Sequence, residues 1–183
     1  MKREEAIELV KKNIKKGNLF KHMLAVEAIM REIAIYLNKN EEKWSLAGLL
    51  HDIDFEITMN EPEKHGIVAE EILKGKVDEK IIRAIKSHNF ENTKIEAESE
   101  MEKALIAADS ISGLIIACAL VMPSKKLRDV KVETIKKKFK QKDFARNCNR
   151  NRILFCEKIN IPREKFFEIS LKALQKISNE LGL

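Results

Sequence analysis

The stretch from Ser99 to Pro123, SEMEKALIAADSISGLIIACALVMP, decides the fold. Ser99 followed three residues later by Glu102 is a capping box, the mark of a helix start. Pro123 cannot continue a helix and sets its end. Met101 to Met122 between them is the most apolar helix of the chain. Its apolar stretch Ile111 to Met122 is shorter than the roughly 20 residues a membrane span needs, and Asp109 lies just before it. The sequence therefore predicts a buried core helix that other helices must surround.

Those neighbours can be read from caps and stripes. Glu4 to Lys15 is a short amphipathic helix with Ile7, Val10 and Ile14 on one face, ending before Gly17. Asn18 is expected to cap a long helix to about Leu37, striped by Leu19, Met23, Val26, Met30 and Ile33. Asn40 caps the next, with Glu41 and Glu42 in its first turn, where the helix dipole favours acids. Pro62 opens a helix through Val68, Ala69, Ile72 and Leu73 that stops at Gly75. Asp78 caps the segment of Ile81, Ile82, Ala84 and Ile85. Val132 to Lys140 and Asn151 to Ile159 carry weaker stripes, and Arg163 to Leu181 is a final amphipathic helix. No stretch alternates convincingly as a strand. Asn89 to Ser99 is expected to be the longest loop of the body.

Composition points the same way. In 183 residues there are only 6 Gly and 3 Pro, too few for the many turns of an all-β sandwich. An apolar fraction of 44% with 35% charged residues describes a globular chain, read as one domain over 1–183. No GxxxxGK[ST] or GxGxxG phosphate loop is present. Cys118, Cys148 and Cys156 form an odd set without a CxxC pair, and the N-terminus has no apolar signal region, so a cytoplasmic protein with reduced thiols is expected. The net charge of +6 is uneven. From Pro123 to Arg152 twelve Lys and Arg face three acids, whereas the rest of the chain is slightly acidic. Such a segment either meets an anionic partner or forms a solvated face.

The four histidines fall on four different predicted helices, each on the apolar stripe. His22 lies with Val26 and Ile33, His51 with Trp44 and Ala47, His65 with Val68 and Ile72, and His88 with Ile81 and Ile85. Buried imidazoles cost free energy unless each finds a partner. Two carboxylates share those faces: Asp52, next to His51, and Asp109, deep in the most apolar helix. Four imidazoles and two carboxylates without a thiolate suit Mn²⁺, Fe²⁺, Co²⁺, Ni²⁺ or Zn²⁺. Six protein ligands are too many for one ion with an open position. With Asp52 as a bridge they suffice for two divalent metal ions, which two-metal sites hold about 3.5–4 Å apart.

The order His22, His51-Asp52, His65, His88, Asp109 resembles the HD-domain superfamily of metal-dependent phosphohydrolases, within it the subgroup with two further histidines between the dyad and the last aspartate. Lys21-His22-Met23, Gly48-Leu49-Leu50-His51-Asp52-Ile53-Asp54 and Ala107-Ala108-Asp109 carry the likeness. Asn89 and Ser110-Ile111-Ser112-Gly113-Leu114 are similar to a small prokaryotic branch of predicted HD-superfamily hydrolases. The resemblance implies an all-α HD bundle, with the metal-binding core at about 18–120 and the basic segment and additional C-terminal helices at 123–183. It implies that His22, His51, Asp52 and Asp109 bind one metal, that Asp52 bridges, that His65 and His88 bind the second, and that His51 and Asp52 are catalytic. The chain departs from many relatives in reading His51-Asp52-Ile53-Asp54 in place of HDIG. No GYP motif follows, the Glu-Asp pair of (p)ppGpp hydrolases is not evident, and the chain is shorter than a typical dNTP triphosphohydrolase.

The implied activity is hydrolysis of a small phosphoester or nucleotide. Lys142, Arg146 and Arg150 are the expected substrate-binding cations. Asp54 and Glu56 stand either as proton relays or as solvated acids past a helix end. Two other readings remain open at this level. The same six ligands serve HD-type di-iron oxygenases, and the basic segment suits nucleic-acid or partner binding with a structural metal site. Its few aromatics, Phe139 and Phe144, weigh against nucleic acid.

Overall fold

The computed structural model describes residues 1–183 and is all-α, without a strand. The helices are α1 (Arg3–Asn13), α2 (Gly17–Tyr36), α3 (Glu41–Leu50), α4 (Phe55–Thr58), α5 (Ile67–Leu73), α6 (Glu79–His88), α7 (Phe90–Thr93), α8 (Glu100–Leu120), α9 (Val132–Lys140), α10 (Arg150–Ile153), α11 (Arg163–Lys176) and α12 (Ser178–Leu181). Short 3₁₀ turns at Pro62–Lys64, Leu127–Asp129 and Leu154–Ile159 join some of them.

Helix α8 is the axis of the fold and touches α2, α3, α6, α9, α10 and α11. By length and composition it could cross a bilayer, but most of it is buried within the fold. Its Leu105, Ala108, Ile111, Leu114 and Ile115 lie in the core with Met23, Met30 and Ile33 of α2, Leu49 of α3, Ile85 of α6 and Phe167 of α11. Ser99 caps it, accepting from the Glu102 amide at 3.3 Å.

Helices α2 and α3 pack closest because of one glycine. A Cβ on Gly48 would come within 2.8 Å of both the Glu27 amide nitrogen and the Val26 carbonyl oxygen. Only a residue without a side chain lets these two backbones meet, and the contact brings the middle of α2 against the end of α3.

The structure changes four of the expected boundaries. Asn18 does not cap α2. Its start has no side-chain cap; Glu56 of α4 instead pins the linker before it, its Oε1 accepting from the amides of Lys15 and Lys16 at 3.0 and 2.7 Å. The helix expected from Pro62 is broken, because Gly66 takes φ +91° between the 3₁₀ turn and α5. His65 therefore sits at a turn, not on a helix stripe. The expected loop after Asn89 contains α7, and the final helix splits at Ile177. All three cysteines are free. Burial pushes the Cys118 thiol up to about 11 and Cys156 up to about 12, so both stay protonated at neutral pH.

Candidate metal centre

Four helices and one turn bring the six polar residues together. His22 lies in the second turn of α2, His51 and Asp52 follow directly on α3, His88 is the last residue of α6, and Asp109 is midway along α8. His65 comes from the turn before Gly66. His51, Asp52, His65 and His88 are buried, His51 completely.

Each imidazole is fixed by its Nδ1. His51 Nδ1 donates to the Gly48 carbonyl at 2.8 Å, and His88 Nδ1 to the Ile85 carbonyl, both three residues back in the last turn of a helix. His65 Nδ1 donates to Asp54 Oδ1 at 2.8 Å. The Ser112 hydroxyl donates to the Asp109 carbonyl at 2.7 Å, so at 3.2 Å it accepts from His22 Nδ1. With every Nδ1 donating, every neutral ring carries its lone pair on Nε2.

Those four lone pairs converge on carboxylates. The Nε2 atoms of His51, His65 and His88 lie 3.3, 3.3 and 3.5 Å from Asp52 Oδ1. His22 Nε2 is 3.2 Å from Asp109 Oδ1 and 3.6 Å from Asp52 Oδ2. His65 and His88 turn their Nε2 atoms on each other at 3.1 Å, and His51 Nε2 is buried without any hydrogen-bond partner. Acceptors facing acceptors in a buried site repel unless a cation stands between them. The donor set, nitrogen and carboxylate oxygen only, suits a divalent transition metal. The ligand atoms of His22, His51 and Asp52 lie within 4.8 Å of one another, as do those of Asp52, His65 and His88. Asp52 belongs to both groups.

The titration behaviour reflects the same shortage of positive charge. Burial opposes protonation of His65, but hydrogen bonds to Asp52 and Asp54 outweigh it and raise its pKa to about 9. His22 is raised as well, since Asp109 and Asp52 outweigh its burial. Burial, with His65 and His51 nearby, lowers His88. Burial resists ionisation of Asp52 and Asp109, yet the surrounding imidazoles hold Asp52 far below the usual carboxylate range and His22 does the same for Asp109.

Asp54 is neither solvated nor exposed. Its completely buried carboxylate accepts from His65 Nδ1, from the Gly66 amide at 2.8 Å and from the Ala69 amide at 2.9 Å. It thus orients His65 and caps α5 at once. Asn89 supports the same turn, donating to the carbonyls of Pro62 and His65 at 2.8 and 3.0 Å. Asp54→Asn is expected to weaken metal binding about 10- to 100-fold, as loss of an outer partner of a ligating histidine does. A metal titration of the folded variant measures this, and an unchanged affinity would remove Asp54 from the site.

The expected substrate cations lie elsewhere. Arg150 donates to the carbonyls of Lys138, Phe139, Gln141, Phe144, Ala145 and Cys148, so its guanidinium is a clamp on the loop between α9 and α10. Lys142 and Arg146 are exposed and do not line the cleft above the cluster. The cation that does line it is Arg152, whose Nη2 is 3.2 Å from Asp109 Oδ2. Arg152 belongs to the same basic segment, and charge counting alone cannot separate it from its eleven basic neighbours. The cleft encloses about 450 Å³, and its lining also includes Leu19, Phe55, Met59 and Pro62.

The HD domain family profile matches residues 19–114, just over half of the chain. Among curated proteins, Ribonuclease Y of Mycoplasma mycoides subsp. mycoides SC is 36% identical over 97 residues, which is 52% of this chain and 18% of that protein. Ribonuclease Y of Mycoplasma capricolum subsp. capricolum is 35% identical over the same length. The chain thus spans less than a fifth of the length of these relatives. No solved structure matches it significantly.

Proposed function

The chain belongs to the HD domain family, and on that premise we propose that it is a phosphohydrolase that works with two divalent metal ions. In this reading His22, His51, Asp52 and Asp109 hold one ion, Asp52, His65 and His88 hold the other, and Asp52 bridges. The observation that carries it is the set of four Nε2 lone pairs turned on two shared carboxylates. Two ions bound there would lower the pKa of a water towards neutrality and polarise a phosphoryl oxygen.

The protein's own groups prepare that chemistry. The four Nδ1–H anchors keep each lone pair aimed inward, so little reorganisation is needed when substrate arrives. Burial of His51, Asp52 and His88 keeps bulk water from screening the charges. At the mouth, Phe55 is 40% exposed and packs edge-on to the His65 ring at 5.5 Å. With Met59, 55% exposed, it offers an apolar platform to a flat group such as a nucleobase. That supports a nucleotide or a comparably small phosphoester as substrate.

The name of the two relatives supports a second substrate, an RNA phosphodiester, for which the basic segment Pro123–Arg152 would supply backbone attraction. One experiment covers both. The protein loaded with Mn²⁺ or with Fe²⁺ is assayed both under argon and in air against p-nitrophenyl phosphate, a panel of nucleotides and a short RNA. Release of phosphate from nucleotides, abolished by chelator and indifferent to oxygen, is the expected result. RNA cleavage falling steeply with salt would favour the second reading. No hydrolysis of any phosphoester, or consumption of oxygen with an organic substrate, would overturn the proposal.

A further inference from the structure

We propose that Arg152 grips the phosphate of the substrate, an inference that rests on the phosphohydrolase reading and adds a residue from outside the family-matched stretch. Arg152 lies on α10, in the part of the chain that follows residue 114. Its side chain is only 18% exposed and lines the cleft together with His22, Asp52, His65, His88 and Asp109.

The guanidinium is held before any ligand arrives. Nη2 donates to the His88 carbonyl and lies 3.2 Å from Asp109 Oδ2. The other oxygen of Asp109, Oδ1, faces His22 Nε2 at 3.2 Å and His51 Nε2 at 3.9 Å. Asp109 thus stands between the histidine nitrogens and the arginine, with one oxygen for each. A phosphate that reached ions at Asp109 would have a further oxygen beside the guanidinium.

Arg152 also has a donor to give. Its Nε is buried and meets no hydrogen-bond partner. A buried charged N–H without an acceptor is costly and calls for an explanation, and on a side chain that lines the cleft an acceptor brought by a ligand is one that fits. A guanidinium is always charged at working pH, and its planar fork matches two oxygens of a phosphate. Because two fixed contacts already hold Arg152, little side-chain freedom remains to be lost on binding. The other three arginines of the basic segment do not share this position: Arg150 clamps a loop, and Arg128 and Arg146 are exposed and do not line the cleft.

The rival role for Arg152 is to position Asp109, and the test separates the two. Arg152→Gln is compared with the unaltered protein in three measurements: Mn²⁺ affinity, inhibition of turnover by inorganic phosphate, and KM against kcat. Loss of a hydrogen-bonded charge contact is expected to weaken phosphate inhibition and raise KM by about 10- to 100-fold, while Mn²⁺ affinity stays within about twofold. Added guanidinium should restore part of the lost activity in Arg152→Ala. If Arg152→Gln does not fold, Arg152→Lys decides, because it keeps the charge and loses the fork; the same weakening of phosphate inhibition is expected. Unchanged phosphate inhibition overturns the inference and leaves the phosphohydrolase reading standing. So does a fall in Mn²⁺ affinity that accounts for the whole loss, which would make Arg152 a positioning residue for Asp109. Absence of phosphoester hydrolysis in the unaltered protein fails the underlying reading and takes this inference with it.

Discussion

Replacing Asp52 with alanine is expected to abolish turnover and to release bound metal together, leaving the helices in place. Asp52 is the one carboxylate that belongs to both ligand groups. Its Oδ1 faces the Nε2 atoms of His51, His65 and His88, and its Oδ2 faces His22. Removing it takes a ligand from each ion and leaves two cations without the negative charge between them. The loss should exceed the roughly 10- to 100-fold that follows removal of an outer-shell partner. The fold should survive because the Asp52 side chain bonds only to these imidazoles, while the core around α8 is formed by apolar contacts. Far-UV circular dichroism, metal analysis and activity on the same preparation check this. A variant that keeps both metals and normal turnover would show that the bridge is misplaced.

Gly48→Ala is expected to be the most damaging single methyl in the site's scaffold. The new Cβ would sit 2.8 Å from Val26 O and Glu27 N and 2.9 Å from Glu27 Cα, all backbone atoms that cannot rotate away. Helices α2 and α3 must part. Overpacking of this kind costs about 3 kcal/mol, against which alanine's better helix propensity returns about 1 kcal/mol. For a chain of this size a net loss of about 2 kcal/mol lowers Tm by about 4–8 °C. Metal affinity should fall too, because His22 and His51 ride on the two separated helices and His51 Nδ1 is tied to the Gly48 carbonyl. Gly17→Ala is the control: nothing lies within 4 Å of that Cβ, so Tm should barely move. Equal melting of the two variants would show that the Gly48 contact is not what brings α2 and α3 together.

The helical class was legible in the sequence because the apolar stripes are long and their caps are local. Asn40, Asp78 and Ser99 each cap through a bond within three residues. The start of α2 was not legible, since no side chain caps it and the linker before it is pinned by the carboxylate of Glu56, some forty residues away. The placement of His22, His51 and His88 can be inferred from helix faces alone. That of His65 cannot: Gly66 breaks the helix there, and Asp54 and Asn89 fix the turn. Asp54 reads as a solvated acid past a helix end because its three partners come from residues 65 to 69. Arg152 was hidden for a related reason. Twelve cations in thirty residues look alike in one dimension, and only the packing of α10 against α8 turns one of them towards Asp109.

The central claim is that two ions share Asp52, and the direct measurement is the stoichiometry of Mn²⁺ bound by the metal-stripped protein in equilibrium dialysis, with activity followed on the same samples. The account predicts saturation at two Mn²⁺ per chain, with turnover appearing as the second ion binds. Saturation at one ion per chain with full activity, or no binding at all, would contradict it.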